Sequence, residues 1–82
     1  MYYVYILQSL KFPTRRYVGF TSNLEARLKT HNSKGSSFTS KYTPWEIVTY
    51  ICFQNKELAL DFERYLKTGS GIAFLKKRFI TL

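Results

Sequence analysis

The chain has 82 residues, of which 45% are hydrophobic and 18% aromatic, and this length supports one domain with a single modest core. Thirteen lysines and arginines against five acidic residues leave a net charge of +8. The electrostatic field of such a positively charged surface favours a polyanionic binding partner. Nucleic acid is the first candidate and an acidic membrane surface the second. No apolar run approaches the roughly 20 residues that span a bilayer, so we expect no membrane association.

The first residues and the cysteine content bear on cellular location. The segment after Met1 has no basic leader and no small-residue cleavage site, so we expect no signal peptide and a protein of the cytoplasm or nucleus, with the cytoplasm preferred. Cys52 is the single cysteine, which excludes a disulfide within the chain. Because it lies in an apolar, β-branched run, we expect it to be a small buried side chain.

Two strands are predicted at the start of the chain. Residues 2–7 are aromatic and aliphatic with the alternation of a strand, and residues 16–20 show the same period after a short turn region. The short connection predicts an antiparallel hairpin. With its register centred on the turn, Tyr5 and Tyr17 lie close to opposite each other on one face. Gly19 inside the second strand indicates that some group approaches the backbone closely there.

A first helix is predicted over about residues 23–31. Ser22 and Glu25 match the capping box, with Ser22 as the N-cap residue. Leu24 and Leu28 are four residues apart and give the helix its core face.

Arg27 and His31 share a second side of this helix. They are also four residues apart, so their side chains project within roughly 40° of each other around the axis. We expect both to point at whatever lies beside the strand that presents Tyr17. Taken singly, a lone surface histidine usually has no function, and tyrosines in strands usually pack the sheet. A site is therefore indicated only by their occurring together.

Residues 32–44 are rich in hydroxyl groups and lysine. Two interpretations remain open for this stretch: a solvated connector, or a loop whose hydroxyls and lysines touch phosphates. In the second interpretation, Phe38 or Tyr42 stacks against a base.

The carboxy-terminal half predicts one strand and two helices. Residues 45–53 are the most β-like run and predict a third strand at the centre of the core. Asn55 is the predicted N-cap of a second helix that runs to about residue 67, with Gly69 as its C′ residue. Its predicted buried face consists of Leu58, Phe62 and Tyr65, with Ala59 and Leu66 beside them.

A last short helix is predicted after a Ser70 cap, with Ile72 and Leu75 inward and residues 76–78 outward. The element order is therefore β-β-α-β-α-α. It predicts an α+β fold in which helices flank a three-stranded antiparallel sheet.

Glu63 stands at the margin of the apolar face of the second helix. A carboxylate in such a position needs a partner, because burying it unpaired is costly. One interpretation is a salt bridge with Lys67, four residues on. The other is a ligand for a hard divalent cation, which takes carboxylate oxygens.

These residues, in this order, resemble the GIY-YIG nuclease domain and particularly its small stand-alone bacterial members. Tyr3-Val4-Tyr5 matches the first motif of that family and Tyr17-Val18-Gly19 the second. Further matching positions cover nearly the whole chain: Thr21, Asn23, Leu24, Arg27, Leu28, His31 and Asn32, then Pro44 and Trp45, then Leu58, Ala59 and residues 63–67. The resemblance implies a three-stranded antiparallel sheet flanked by helices.

The resemblance also implies hydrolysis of phosphodiester bonds in DNA, with one Mg²⁺ or Mn²⁺ held by Glu63. Arg27 is then expected to contact the scissile phosphate, while Tyr5, Tyr17 and His31 position and deprotonate the attacking water. A phenol with an ordinary pKa of about 10 is a poor base at neutral pH unless a cation lowers that pKa or the phenol relays a proton. Which tyrosine acts as the base stays open. A role in DNA repair is expected.

Two positions depart from the family pattern. Tyr3 replaces the first glycine of the motif, and no asparagine follows Asn55, so a contact made by a late asparagine is missing or is supplied by Ser70 or Lys76. Larger members use separate domains to find their targets. Here we expect selection by nucleic-acid structure and charge, by a partner protein or by a homodimer.

Contacts with the nucleic acid are expected from basic residues outside the catalytic set and from one hydroxyl: Arg15, Arg16, Lys29, Lys34, Thr39, Lys41, Lys76, Lys77 and Arg78. The alternative to a nuclease is a non-catalytic nucleic-acid-binding module of the same fold. A protein-interaction scaffold is disfavoured, because it has no need of five catalytic-type residues together.

Overall fold

The computed structural model describes residues 1–33 and 39–79. Three strands form one antiparallel sheet: β1 (Tyr2–Ser9), β2 (Arg16–Thr21) and β3 (Trp45–Phe53). The α-helices are α1 (Leu24–Asn32), α2 (Lys56–Leu66) and α3 (Gly69–Arg78), and a 3-10 helix (Thr39–Tyr42) precedes β3. The predicted α+β class and element order are confirmed.

Strand β1 lies at the centre of the sheet, in the order β2-β1-β3. On one face, Val4 and Ile6 pack with residues of α2 and α3. On the other face, Tyr5 and Leu7 pack with Trp45 and the apolar side of α1. The prediction that β3 is the centre of the core is wrong. Val4 to Leu7 of the central strand β1 are all buried, on both faces, whereas in the edge strand β3 only Trp45 is buried.

The register of the hairpin places Tyr5 opposite Gly19 and Leu7 opposite Tyr17. Tyr5 and Tyr17 are therefore diagonal neighbours, two residues away from the predicted opposition. They share one face of the sheet as predicted, with ring centroids 6.3 Å apart.

The N-cap of α1 is Asn23, whose side-chain carbonyl accepts from the amide of Ala26 at 3.1 Å. The predicted Ser22 cap is wrong by one residue. The Thr21 hydroxyl accepts from the amide of Asn23 at 3.0 Å, which fixes the chain so that Asn23 takes the capping position.

Of the last two helices, one has the predicted N-cap residue and the other does not. Asn55 caps α2 as predicted, accepting from the Leu58 amide at 3.0 Å. Helix α3 is capped by Thr68 instead of Ser70, and its hydroxyl accepts from the Gly71 amide at 3.1 Å. Gly69 is therefore the first residue of α3 and not the C′ residue of α2.

The buried stripe of α2 is rotated by about one residue from the predicted one. Ala59 and Leu66 are buried and Phe62 packs beside them, at the i, i+3, i+7 spacing of one helix face. Leu58 and Tyr65 were predicted to be buried, but they are 57% and 41% exposed.

Two further burial predictions are wrong. Cys52 is exposed, because it lies near the end of the edge strand β3, where one strand alone pairs with it. In α3, Leu75 is buried as predicted but Ile72 is exposed, and the three basic residues that follow are outward. No helix in the described part of the chain is long and apolar enough to cross a membrane.

Candidate active site

A buried chain of hydrogen bonds joins three elements through His31. The phenol oxygen of Tyr5, from β1, lies 2.9 Å from His31 Nε2, and the hydroxyl of Thr39, from the 3-10 helix, lies 2.9 Å from His31 Nδ1. All three side chains are buried. Because both ring nitrogens have a partner, the imidazole is fixed in position and in rotation.

Burial sets the protonation states of this chain. Desolvation lowers the pKa of His31 and the Arg27 guanidinium lowers it further, so the imidazole is neutral at pH 7. Desolvation is the main cause that raises the pKa of Tyr5, and the neighbouring Tyr17 raises it further, while Arg27 opposes that rise. Tyr5 therefore keeps its proton.

A neutral imidazole has one donor and one acceptor nitrogen. Either the Tyr5 hydroxyl donates to Nε2 and Nδ1–H donates to the Thr39 hydroxyl, or both bonds run in the opposite direction. The two arrangements differ in which ring nitrogen carries the proton. In either one, both nitrogens are bonded, so the network holds the imidazole in a single orientation.

Thr39 was expected to contact nucleic acid, but it is fully buried and its hydroxyl is engaged with His31. Its carbonyl accepts from the Trp45 indole at 2.7 Å, and Asn32 binds the backbone of Trp45 through both atoms of its amide. These bonds hold the 3-10 helix against β3 and α1. No surface of Thr39 remains for a phosphate, and its place beside His31 was not predicted, since nothing in the sequence separates it from the other hydroxyls nearby.

Tyr17 and Arg27 complete the amino-terminal part of the site. The Tyr17 ring lies on the same sheet face as Tyr5, with its centroid 4.8 Å from that of His31, and it is only half-buried. Arg27 is exposed on α1, one turn before His31, and its charge acts on the pKa of both His31 and Tyr5. The structure thus brings together the phenol, imidazole and guanidinium groups that the sequence singled out.

Glu63 comes from α2 and forms a salt bridge with Lys67, at 2.9 Å between Oε2 and Nζ. Its side chain is only 18% exposed, and its negative charge is one of the causes that raise the pKa of Tyr5. In the described residues, no three His, Cys, Asp or Glu side chains converge on a common metal position. A single carboxylate nevertheless suits Mg²⁺, which keeps several waters and takes phosphate oxygens as further ligands.

The residues predicted to bind nucleic acid lie on several elements. Six of them are exposed: Arg15, Lys29, Lys41, Lys76, Lys77 and Arg78. Arg16 is half-buried, and the guanidinium of Arg15 lies 5.1 Å from the centroid of the Tyr42 ring. Lys34, together with the Phe38 proposed for base stacking, lies outside the described residues.

The fold and the site define a small basic α+β domain in which a buried Tyr–His–Thr chain lies beside a second phenol. Residues 1–72 match the family described as GIY-YIG catalytic domain. The chain belongs to that family, which confirms the resemblance found in its sequence.

Relatives of two kinds share this domain. The chain is 40% identical over 65 residues to the "Structure-specific endonuclease subunit SLX1 homolog" of Giardia intestinalis, a match that covers 74% of this chain and 18% of that protein. It is 39% identical over 67 residues to the UPF0213 protein YsiG of Lactococcus lactis, covering 80% of this chain and 62% of the relative. The chain therefore spans about a fifth of the SLX1 relatives that it matches.

A solved structure has the same fold. The solution NMR structure of a UPF0213 protein from Bacillus halodurans matches with a TM-score of 0.54 at 32% identity, covering 92% of this chain and 82% of that one. The arrangement of strands and helices described above is thus shared with a related protein of similar size.

Proposed function

We propose that this protein is a divalent-metal-dependent endonuclease that hydrolyses phosphodiester bonds in DNA. The observation that carries the proposal is the contact of Tyr5 and Tyr17 with one buried imidazole, His31, in a chain of the GIY-YIG catalytic domain family. The names of the SLX1 relatives, structure-specific endonuclease subunits, support the same class of reaction. The net charge of +8 supports a polyanionic substrate.

The two phenols take different roles in this proposal. Tyr17 is the more exposed of the two, so it is the phenol that meets and positions the attacking water, while its ring packs on the imidazole of His31. Tyr5 keeps its proton, since burial raises its pKa, and it orients His31 through the bond to Nε2. Arg27 neutralises the negative charge that develops on the phosphate in the transition state.

Glu63 is the residue that holds the metal. Mg²⁺ or Mn²⁺ bound there would supply Lewis acidity at the phosphate and would lower the pKa of a bound water. Lys67 already donates to this carboxylate, so metal binding would compete with the salt bridge.

The experiment that tests the proposal compares two carboxylates on α2. Glu63→Gln removes the charge and keeps the shape, so the fold survives and Mg²⁺-dependent cleavage falls by orders of magnitude, while binding of the same DNA stays equal or tightens slightly. Asp61→Asn is the matched control, because Asp61 is also paired with a basic residue on α2 but is far more exposed. Cleavage at the wild-type rate by purified Glu63→Gln contradicts the proposal.

The alternative is a non-catalytic module of the same fold that binds nucleic acid. The Glu63–Lys67 bridge favours it, since a carboxylate already neutralised by lysine needs no cation. A panel of duplex, single-stranded and branched DNAs and RNAs, incubated with Mg²⁺, Mn²⁺ or EDTA, separates the two. Binding of the panel without cleavage of any member supports the alternative.

The protein's place in the cell is part of the same proposal. We place it in the cytoplasm, with a role in DNA repair. The SLX1 relatives are named as subunits, and this agrees with target selection by a partner protein or a second copy of the chain.

A further inference from the structure

A cavity of about 530 Å³ lies between β2 and the two carboxy-terminal helices. Its volume falls within the range of about 300–1,000 Å³ that is typical of small-molecule sites. One side is apolar and is formed by Leu66, Ile72 and Leu75. Basic residues also line the cavity: Arg15, Arg16, Lys67 and Lys76.

Arg16 has unused hydrogen-bonding groups beside this cavity. Its Nε and Nη2 atoms are shielded from solvent, and no acceptor in residues 1–33 or 39–79 bonds to either. A guanidinium stays charged in proteins, and buried donors without a partner are rare because they cost free energy. The two nitrogens match the spacing of two oxygens on a phosphate or carboxylate, so an anion in the cavity is the natural acceptor once the guanidinium turns toward it.

An inorganic anion in this cavity would provide an acceptor for Arg16, but it would leave the apolar residues of the lining uncovered. A nucleotide satisfies both, since its base covers the apolar side and its phosphate reaches Arg16 with Arg15 and Lys76 nearby. Tyr17 belongs to the segment of β2 that lines the cavity, while its ring packs on His31 on the other face of the sheet. The cavity is therefore separate from the candidate active site and lies on the face of β2 that carries Val18.

We propose that this cavity binds one unpaired nucleotide of the nucleic-acid substrate, with its phosphate on Arg16. The inference rests on the proposed function for its substrate class, but it concerns binding and not cleavage. It predicts that the protein prefers strands that contain an unpaired base over uninterrupted duplex.

The test measures binding by fluorescence anisotropy in EDTA, so that its outcome does not depend on hydrolysis. Three DNAs of one sequence are compared: a perfect duplex, the duplex with one unpaired adenosine, and the same DNA with an abasic residue at the unpaired position. We expect wild-type protein to bind the second at least about tenfold more tightly than the first, the factor that one charge-assisted contact supplies. The abasic DNA is expected to fall between them.

Arg16→Ala is expected to abolish the preference for the unpaired adenosine. Arg16→Lys keeps the charge but loses the paired donors, so it weakens the preference as well, and it keeps the test decisive if Arg16→Ala folds poorly. Arg78→Ala is the matched control, because it removes an exposed guanidinium of α3 and weakens binding of all three DNAs by a similar factor.

The apolar wall is tested with a second pair of variants. Ile72→Ser is expected to reduce the preference for the adenosine over the abasic residue, whereas Leu58→Ser, at an exposed leucine outside the cavity, changes nothing. A preference that persists in both Arg16 variants, or an equal loss for all three DNAs, overturns the proposal. Competition by free deoxyadenosine monophosphate at the concentration at which the unpaired DNA competes also overturns it, since the site then serves free nucleotides.

Discussion

Gly19 faces Tyr5 across the β1–β2 ladder so closely that a Cβ atom at Gly19 overlaps the phenol ring. The absence of a side chain there lets the Tyr5 ring lie over the β2 backbone and reach His31. A glycine inside a strand or helix costs roughly 0.5–1 kcal/mol relative to alanine. The third residue of the Tyr17-Val18-Gly19 motif is therefore explained by the position of a tyrosine on the neighbouring strand.

Gly19→Ala is expected to lower the free energy of unfolding by about 1–3 kcal/mol, the usual cost of overpacking. The Tyr5 ring has little freedom to yield, because it is buried and bonded to His31. Urea denaturation measures the loss. Gly69→Ala is the control, since nothing lies within 4 Å of a Cβ there. In a Tyr5→Ala background the cost of Gly19→Ala should vanish, and equal costs in both backgrounds contradict the explanation.

Stability is expected to rise with pH up to about 6.5, the ordinary pKa of histidine, and to level off above it. The folded protein lowers the pKa of His31 through burial and Arg27, so between the two pKa values the unfolded chain binds more protons. The slope reaches at most about 1.4 kcal/mol per pH unit. Urea titrations from pH 5 to 8 measure it. A His31→Gln protein with the same slope in this range indicates another titrating group.

Thr39→Val keeps the shape of the side chain and removes the hydroxyl that bonds His31 Nδ1. A buried nitrogen left without a partner costs about 1–3 kcal/mol, and the imidazole loses one of its two constraints. Thr30→Val is the control, because the Thr30 hydroxyl bonds a helix carbonyl at an exposed position. Nitrogen-15 chemical shifts of the His31 ring should move in Thr39→Val alone. Unchanged shifts would remove Thr39 from the network.

The basic end of α3 should set part of the salt dependence of DNA binding. For duplex DNA, the slope of log K against log[salt] is about −0.9 for each phosphate neutralised. Lys76, Lys77 and Arg78 are exposed on the last turn of this helix. Replacing all three with alanine should weaken binding and make the slope less negative, without changing sequence preference. A slope equal to that of the wild type would show that this end of α3 does not touch phosphates.

Much of the fold follows from short-range patterns in the sequence. Strand alternation places Tyr5 and Tyr17 on one face, and the spacing of four residues places Arg27 and His31 on one side of α1. These patterns involve only residues that are close together in the sequence, so each can be recognised without knowledge of the rest of the chain. The observed hairpin register differs from the predicted one by two residues and places the Tyr5 ring on Gly19, a contact between two strands that local patterns do not contain.

Features that depend on several elements were missed for the same reason. The apolar composition of β3 predicts that this strand is the centre of the core. The strand order depends instead on β1, which pairs with both of the other strands. Thr39 was assigned to the nucleic acid, although its burial depends on Trp45 and Asn32 closing around the 3-10 helix. For Glu63, the sequence leaves two interpretations open, and the structure contains the salt bridge with Lys67 that one of them predicts. The other interpretation, a ligand for a divalent cation, is tested by the Glu63→Gln experiment.

The central position of β1 has a consequence for the motions of the site. Its amides are bonded between two neighbouring strands, so we expect them to exchange with solvent deuterium last, through global unfolding alone. Tyr5 belongs to this slowest-exchanging strand. Tyr17 is on an edge strand, and Arg27 and Glu63 are on two different helices, so we expect each to shift by local opening more readily than Tyr5. Tyr5 and the His31 imidazole bonded to it are then the fixed part of the site, around which the other groups adjust to a bound strand.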